Sequence, residues 1–456
     1  MEEVLEKIQV DRYPAYRDSG ISWLGEVPEN WVIDRLKNHI ELLTGFPFQS
    51  QRYADSGIKL ARGINVKEGY FDWSEVCHWT SVDAYLEAFV LKAGDILIGM
   101  DGSKVGKNFC MVCEEDLPIL LLQRVARMRP TKSLDSRFLY YLIADKGFLL
   151  WVEMSKTDPM VPHIAPKDIY NFRISVPPIQ EQTAIAAFLD RKTAQIDNAI
   201  SIKERQIELL KERRQILIQS AVTRGLPAEA GAKSGLDPNV KMKDSGVEWI
   251  GKIPEKWEVK KLKYLGKIKY GLGQPPKEKE GGLPLIRATN VERGRIVEKD
   301  LIYVDPEDIP WERDPELKEN DIIVVRSGAY TADSAIIPKK YEGSIAGYDM
   351  VITPKEINPT FLSYCLLAQY ILYGQLYLLR LRAAQPHLNA EELGQTIVFC
   401  PPKEEQAVIV SFINIMSQKI FTAIKCKEME IEKLKEYKAT LINSAVTGKV
   451  RVRLEH

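Results

Sequence analysis

Few residue groups in this 456-residue chain have the types and spacing needed for covalent chemistry. Gly99-Met-Asp-Gly102-Ser-Lys-Val-Gly106-Lys107 is spaced like a phosphate-cradling loop, but Asp101 stands where the first glycine is needed and Asn108 replaces the Ser/Thr. Cys110-Met-Val-Cys113 is a lone CxxC without a second pair, and on a strand its thiols face opposite sides. Burial is the expectation there, not zinc. Asp305 with Glu316-Leu317-Lys318 has the acid, acid, lysine order of a metal-dependent nuclease, yet Val90 holds the place of Glu316 in a repeated copy, so the spacing reads as chance. No Asn/Asp-Pro-Pro-aromatic motif is present, so the chain is not expected to methylate a base amino group itself. What remains is chemistry of binding.

The binding candidates are cations, amides and rings outside any catalytic pattern. In the first half they are Arg62, Asn65, Lys104, Lys107, Arg124 and His163. In the second half they are Arg287, Asn290, Arg326, Tyr330, Arg380, Arg382 and His387. Arg and Lys suit guanine edges or phosphates. Each has a plainer alternative: Asn65 and Asn290 as surface or capping residues, His163 and His387 as turn residues after a proline, Arg380 and Arg382 as the solvent side of a core helix. The 63 Lys plus Arg equal the 63 Asp plus Glu, so a basic surface arises only by segregating charge onto one face. Lysines 241, 243, 252, 256, 260, 261, 263, 267 and 269 make one segment basic, and the plainer reading there is a solvated face.

A tandem duplication positions these residues. Asp18-Ser-Gly-Ile-Ser-Trp23-Leu-Gly25-Glu-Val-Pro28-Glu-Asn-Trp31 recurs 226 residues later as Asp244 to Trp257. Pro162-His163, Pro177-Pro178, Glu181-Gln182 and Ser220-Ala-Val-Thr223 recur 224 residues later. Each copy begins as a mixed globule. Asp95-Ile-Leu-Ile98 and Asp321-Ile-Ile-Val-Val325 read as buried strands; Phe138 to Trp151 and Phe361 to Leu379 read as apolar helices. The repeated tryptophans Trp23, Trp31, Trp249 and Trp257 read as packing anchors.

Each copy then ends in a stretch free of Pro and Gly, Ile179 to Val222 and Lys403 to Val446, which predicts helices of about 65 Å. Ile185, Ile196, Ile207 and Ile218 are eleven apart, as are Ile409, Ile420, Ile431 and Ile442. Leu189, Ile200, Leu210 and Leu217 widen one stripe; Ile413, Ile424, Leu434 and Leu441 widen the other. An eleven-residue period predicts nearly straight winding against a partner helix. The linker 223–243 reaches at most about 70–75 Å, so it spans a parallel pair only when taut, and an antiparallel pair is expected.

The fold class expected is α+β, with two globules at opposite ends of an antiparallel helix pair and a pseudo-twofold axis across it. The segments are 13–178, helix 179–222, linker 223–243, 244–401 and helix 402–447. No apolar run is expected to span a membrane, the start of the chain reads as no signal peptide, and six cysteines without a disulfide framework suit a reducing cytoplasm.

The Trp-Leu/Ile-Gly-x-x-Pro-x-x-Trp lead-ins, Pro-Pro-x-x-Glu-Gln exits, long helices ending in Ser-Ala-Val-Thr, and duplication of the unit together resemble the DNA-specificity (S) subunit of type I restriction–modification systems, over about residues 13–449. The resemblance implies two target-recognition domains on conserved spacer helices and a non-catalytic role. It implies double-stranded DNA as ligand and two methyltransferase subunits as partners, with restriction subunits recruited through them. No cofactor is implied in this chain; the methyltransferase partners would use S-adenosylmethionine, and the restriction subunits ATP and Mg. A stand-alone nuclease and a repeat-built scaffold without DNA contacts are the alternatives.

Overall fold

The computed structural model describes residues 11–156, 162–233, 240–247, 250–380 and 387–452. The chain divides into two compact units, residues 1–203 with 429–456, and residues 204–428. The boundary falls inside the long helices, not at their ends, because each helix half packs with a different globule.

In the first unit, strands β1 (Ile40–Thr44), β2 (Ile96–Gly99), β3 (Phe109–Met111) and β4 (Val125–Pro130) form an antiparallel sheet in the order β1-β4-β2-β3. All of β2 is buried, as its unbroken apolar run requires. The expected helix 138–151 is two helices, α1 (Ser136–Ala144) and α2 (Lys146–Ser155). Asp145 breaks it: its backbone is extended, and its carboxylate caps α2 through the Gly147 N–H at 2.8 Å. Burial raises the Asp145 pKa, against the pull of that N–H and of Asn443.

The long helix α3 (Ile179–Arg224) starts in this unit and meets the end of its counterpart, α5 (Lys403–Val446). Ile185, Leu189 and Ile196 share one core with Leu441, Ile442, Ala445 and Val446. Lys203 pairs with Glu430, and Lys438 reaches both carboxylate oxygens of Asp197 at 2.7 Å. As numbers rise along one helix they fall along the other, so within this unit the pair is antiparallel.

The second unit repeats the frame. Strands β5 (Gly266–Tyr270), β6 (Ile322–Val324), β7 (Ser334–Ile336) and β8 (Met350–Pro354) run in the order β5-β8-β6-β7, again antiparallel. Helix α4 (Pro359–Leu367) stops where Ala368 turns extended; a short turn, a π-turn at Leu372–Leu376 and Tyr377–Arg380 follow. The single helix expected over 361–379 is therefore interrupted. Here Ile218, Ala221 and Val222 of α3 share a core with Ile409 and Ile413 of α5, and Arg214 bonds Ser417, once more antiparallel.

All eight isoleucines of the eleven-residue series are buried. Leu189, Ile413 and Leu441 are buried as well, whereas Ile200, Leu210, Leu217, Ile424 and Leu434 are half-buried on the flanks of the stripe. One expectation needs correction. By length and composition α5 is apolar enough to cross a membrane, with an 18-residue window of mean hydropathy 1.6. Its buried isoleucines contribute much of that value, yet only 17% of the window is covered.

The duplicated motifs have specific structural work. Trp31 and Trp257 are fully buried, and Trp23 stacks on Phe172 at 5.3 Å; Trp249 lies outside the described residues. Gly25 and Gly251, at φ of +68° and +74°, close the turns between them. In the Pro-Pro-x-x-Glu-Gln exits the glutamine is the lock. Gln182 accepts the Asp135 N–H and donates to the Pro177 carbonyl, both at 2.8 Å; Gln406 does the same with Asn358 and Pro401.

Candidate nucleic-acid interface

In each unit the same end of the four-stranded sheet gathers several of the binding candidates. In the first unit the chain leaves β2 through Met100 and Asp101 and is clamped by the segment before α3. Asp101 forms a β-bridge with His163, and the Gly102 N–H donates to the Pro162 carbonyl at 2.9 Å. The Asp101 carboxylate takes His163 Nδ1 on one oxygen and sits 3.5 Å from Arg124 Nε with the other. Arg124, in the turn just before β4, has φ of +68° and is largely exposed. Lys104 and Lys107 are exposed on the intervening loop. That loop is no phosphate cradle: Gly106 packs so closely on α2 that a Cβ there would lie 2.8 Å from Val152. Its glycine serves helix packing, and a carboxylate occupies its mouth.

In the second unit the equivalent bridge joins Ser327 to His387, and the Leu388 N–H donates to the Arg326 carbonyl at 2.8 Å. Apart from the shared histidine, the side chains differ. The Arg326 guanidinium lies between the rings of Tyr270 and Tyr348, 4.7 and 4.3 Å from their centroids. Arg326 Nη2 contacts His387 Nε2 at 3.1 Å. Beneath it, Asp349 accepts the backbone N–H of Arg326 at 3.2 Å and that of Ala288. Burial pushes the Asp349 carboxyl up to about 6, against the downward pull of those N–H groups and of the Arg326 charge. Tyr330 is exposed on the following loop.

The structure places Asn65 and Asn290 inside their loops, in the capping role that is the plainer alternative. Asn65 is 1% exposed; its Oδ1 accepts the Arg62 N–H, and its amide donates to the carbonyls of Asp72 and Glu75. Asn290 is fully buried and does the same with Arg287, Val297 and Lys299. Both amides are buried with their N–H groups spent on loop carbonyls, so both brace their loops. Arg62 and Arg287 brace the same loops, donating to the Glu75 and Asp300 carbonyls at 2.8 Å. Arg382 lies outside the described residues, and for Arg380 only the backbone, at the end of its short helix, is described.

The sequence reading missed Asp101 as a pivot, and missed Tyr270, Tyr348 and Asp349. Carrying the repeat register through β4 and β8 sets Arg124 opposite Tyr348 in the two copies, a signal available from the offsets alone. Among the described residues no group of three His, Cys, Asp or Glu could hold a metal. Cys110 and Cys113 are free thiols whose pKa values burial raises.

A duplicated sheet frame, paired long helices and unlike polar clusters at matching strand ends define a double recognition module. The chain matches the family described as type I restriction modification DNA specificity domain over residues 28–212 and 254–433, and it belongs to that family. It is 25% identical over 450 residues to the type I restriction enzyme MjaVIII specificity subunit of Methanocaldococcus jannaschii, covering 94% of each chain. It is 26% identical to the EcoBI specificity subunit of Escherichia coli, covering 86% of this chain and 80% of that one. The fold is also similar to a chain from a type I restriction–modification system structure, with a TM-score of 0.69 and 14% identity over 92% of this chain and 98% of that one. The HsdS subunit from Thermoanaerobacter tengcongensis gives a TM-score of 0.51 at 14% identity, over 94% of this chain and 99% of that one. The chain is thus a DNA-specificity component, and such subunits are non-catalytic.

Proposed function

We propose that this chain reads an asymmetric, two-part site on double-stranded DNA, each unit reading one part, while the long helices set the unread gap. The observation that carries this reading is the contrast at the matching strand ends: one frame, two different sets of polar side chains. Two-fold axes lie perpendicular to a duplex, so two related readers approach its strands equivalently, and unlike readers make the site asymmetric. A helix of about 65 Å against about 34 Å per DNA turn puts the half-sites roughly one to two turns apart.

In this reading two methyltransferase subunits bind the chain and restriction subunits join through them, bringing S-adenosylmethionine, ATP and Mg as their own cofactors. Exposed apolar side chains on the helices support such docking: Leu209, Ile216, Ile415 and Phe421 in the second unit, Ile202 and Met429 in the first. The test is to co-express the chain with its methyltransferase partner and map methylation across the host genome. A two-part asymmetric motif is expected, with binding that weakens steeply with salt; one continuous motif overturns the two-reader model. Deleting eleven residues from both helices shortens the gap and keeps both half-site sequences, and an unchanged gap overturns the ruler.

A further inference from the structure

We infer that Arg326 is a preorganised guanine reader, and that the part of the DNA site read by the second unit contains a guanine whose recognition depends on it. This rests on the two-part reading above and assigns one residue within it.

An exposed arginine side chain ordinarily samples many rotamers, and fixing it on a base costs binding free energy. Arg326 is already fixed. Tyr270 and Tyr348 both pack rings against its guanidinium, which restrains the side chain and favours the edges of the plane for a ligand. Tyr270 is itself tied down, its hydroxyl accepting the Ala390 N–H at 2.9 Å. Nε is enclosed and without a hydrogen-bond partner, and Nη2 spends one N–H on His387.

The outer edge of the fork, Nη1 and the second Nη2 N–H, finds no partner among the described residues. Among the described residues no carboxylate lies within ion-pair distance of the guanidinium, although the Asp349 charge acts on it from below. Asp349 takes the backbone N–H, not the guanidinium. Arg293 in the same unit is a useful contrast, its charge being met by Asp333 and its guanidinium held by the Tyr373 and Tyr377 hydroxyls.

A flat, two-pronged donor held at the surface, its outer edge unbonded among the described residues, matches O6 and N7 of guanine in the major groove, the base edge that offers two adjacent acceptors. A phosphate would accept the same fork, but it needs only charge and not a plane fixed between two rings, so lysine would serve it nearly as well. In the first unit the corresponding residue, Met100, is 4% exposed and apolar, so the position itself offers no counterpart of Arg326.

The experiment compares wild type, Arg326→Lys and Arg326→Ala, each co-expressed with the methyltransferase partner, by genome-wide methylation mapping. Wild type gives a guanine in one half-site. Both variants are expected to relax that single position by about tenfold or more, leaving the other half-site and the gap unchanged. Arg326→Lys keeps charge and bulk and so covers the case in which the alanine variant fails to fold. Retained guanine preference in the lysine variant, or uniform weakening across all sequences, overturns the assignment in favour of a phosphate contact. A wild-type motif that is two-part but unaffected by either variant sinks this assignment alone. A continuous wild-type motif sinks the two-part reading beneath it.

Discussion

The two sheet ends are built on one frame and solve different problems. In the first unit an acid, Asp101, sits at the centre, holding His163 and Arg124. In the second a cation, Arg326, sits between two rings with the acid, Asp349, buried under its backbone. The backbone bridges that join the strand exit to the segment before the helix recur in both, Asp101 to His163 and Ser327 to His387. Backbone pairing is indifferent to side chains, so the frame can be kept while the surface it displays is exchanged. On the two-part reading proposed above, this is how a duplicated unit would become two different readers.

The lead-ins differ in a similar way. Trp257 donates its indole N–H to Glu405 at 3.0 Å. At the equivalent place Glu181 is taken by the Tyr13 hydroxyl, and the Trp31 indole nitrogen is buried without a partner. Burial raises the Glu405 pKa and the Trp257 bond opposes it.

The contrast can be sharpened or broken in four ways. The largest effect belongs to Asp349. Its folded pKa of about 6 lies above the ordinary carboxylate value, so the folded chain holds the proton more tightly than the unfolded one. Stability therefore falls as pH rises from about 4 to 6, by roughly 3 kcal/mol for this group. Asp349→Asn keeps the acceptor for the Arg326 N–H and should remove that loss. Urea unfolding of both proteins at pH 4.5 and 7 checks it; equal pH dependence breaks the picture of a buried acid under the cation.

Next comes Arg124→Ala, expected to cost about 1–3 kcal/mol if Arg124 reads a base. Methylation mapping should show the loss in the first unit's half-site only, opposite to the half altered at Arg326. Loss in both halves would merge the two readers. Trp257→Phe should destabilise more than Trp31→Phe, by about 1–2 kcal/mol, because only the former strands a hydrogen-bonded, half-buried carboxylate. Thermal unfolding of the pair measures the difference, and equal losses would show the two anchors to be equivalent after all. The smallest effect is that of Lys107→Ala, an exposed side chain on the first unit's loop. If it touches a phosphate, the log–log salt slope of DNA binding drops by about 1 without a change of motif.

Much of the frame was legible in the sequence because repeats and periods are one-dimensional signals. The eleven-residue isoleucine series named the buried face of both long helices, and the Trp-Gly-Pro lead-ins named the anchors. The breaks at Asp145 and Ala368 were not legible. Asp145 stops one helix only because its carboxylate, packed against Asn443 from a distant helix, caps the next. For Asn65 and Asn290 the sequence left binding and capping open, because polarity alone cannot tell a buried, bonded amide from a free one.

The amino-acid order by itself determined the duplication, the length and stripe of the helices, and the absence of a complete catalytic motif, since each follows from spacing along the chain. Which side chains share a surface was decided only in three dimensions. Strand pairing brings Asp101 to His163, and Tyr270 to Arg326, across more than fifty intervening residues. The register that does so is set by how the buried faces of the sheets pack, a collective choice that no local stretch encodes.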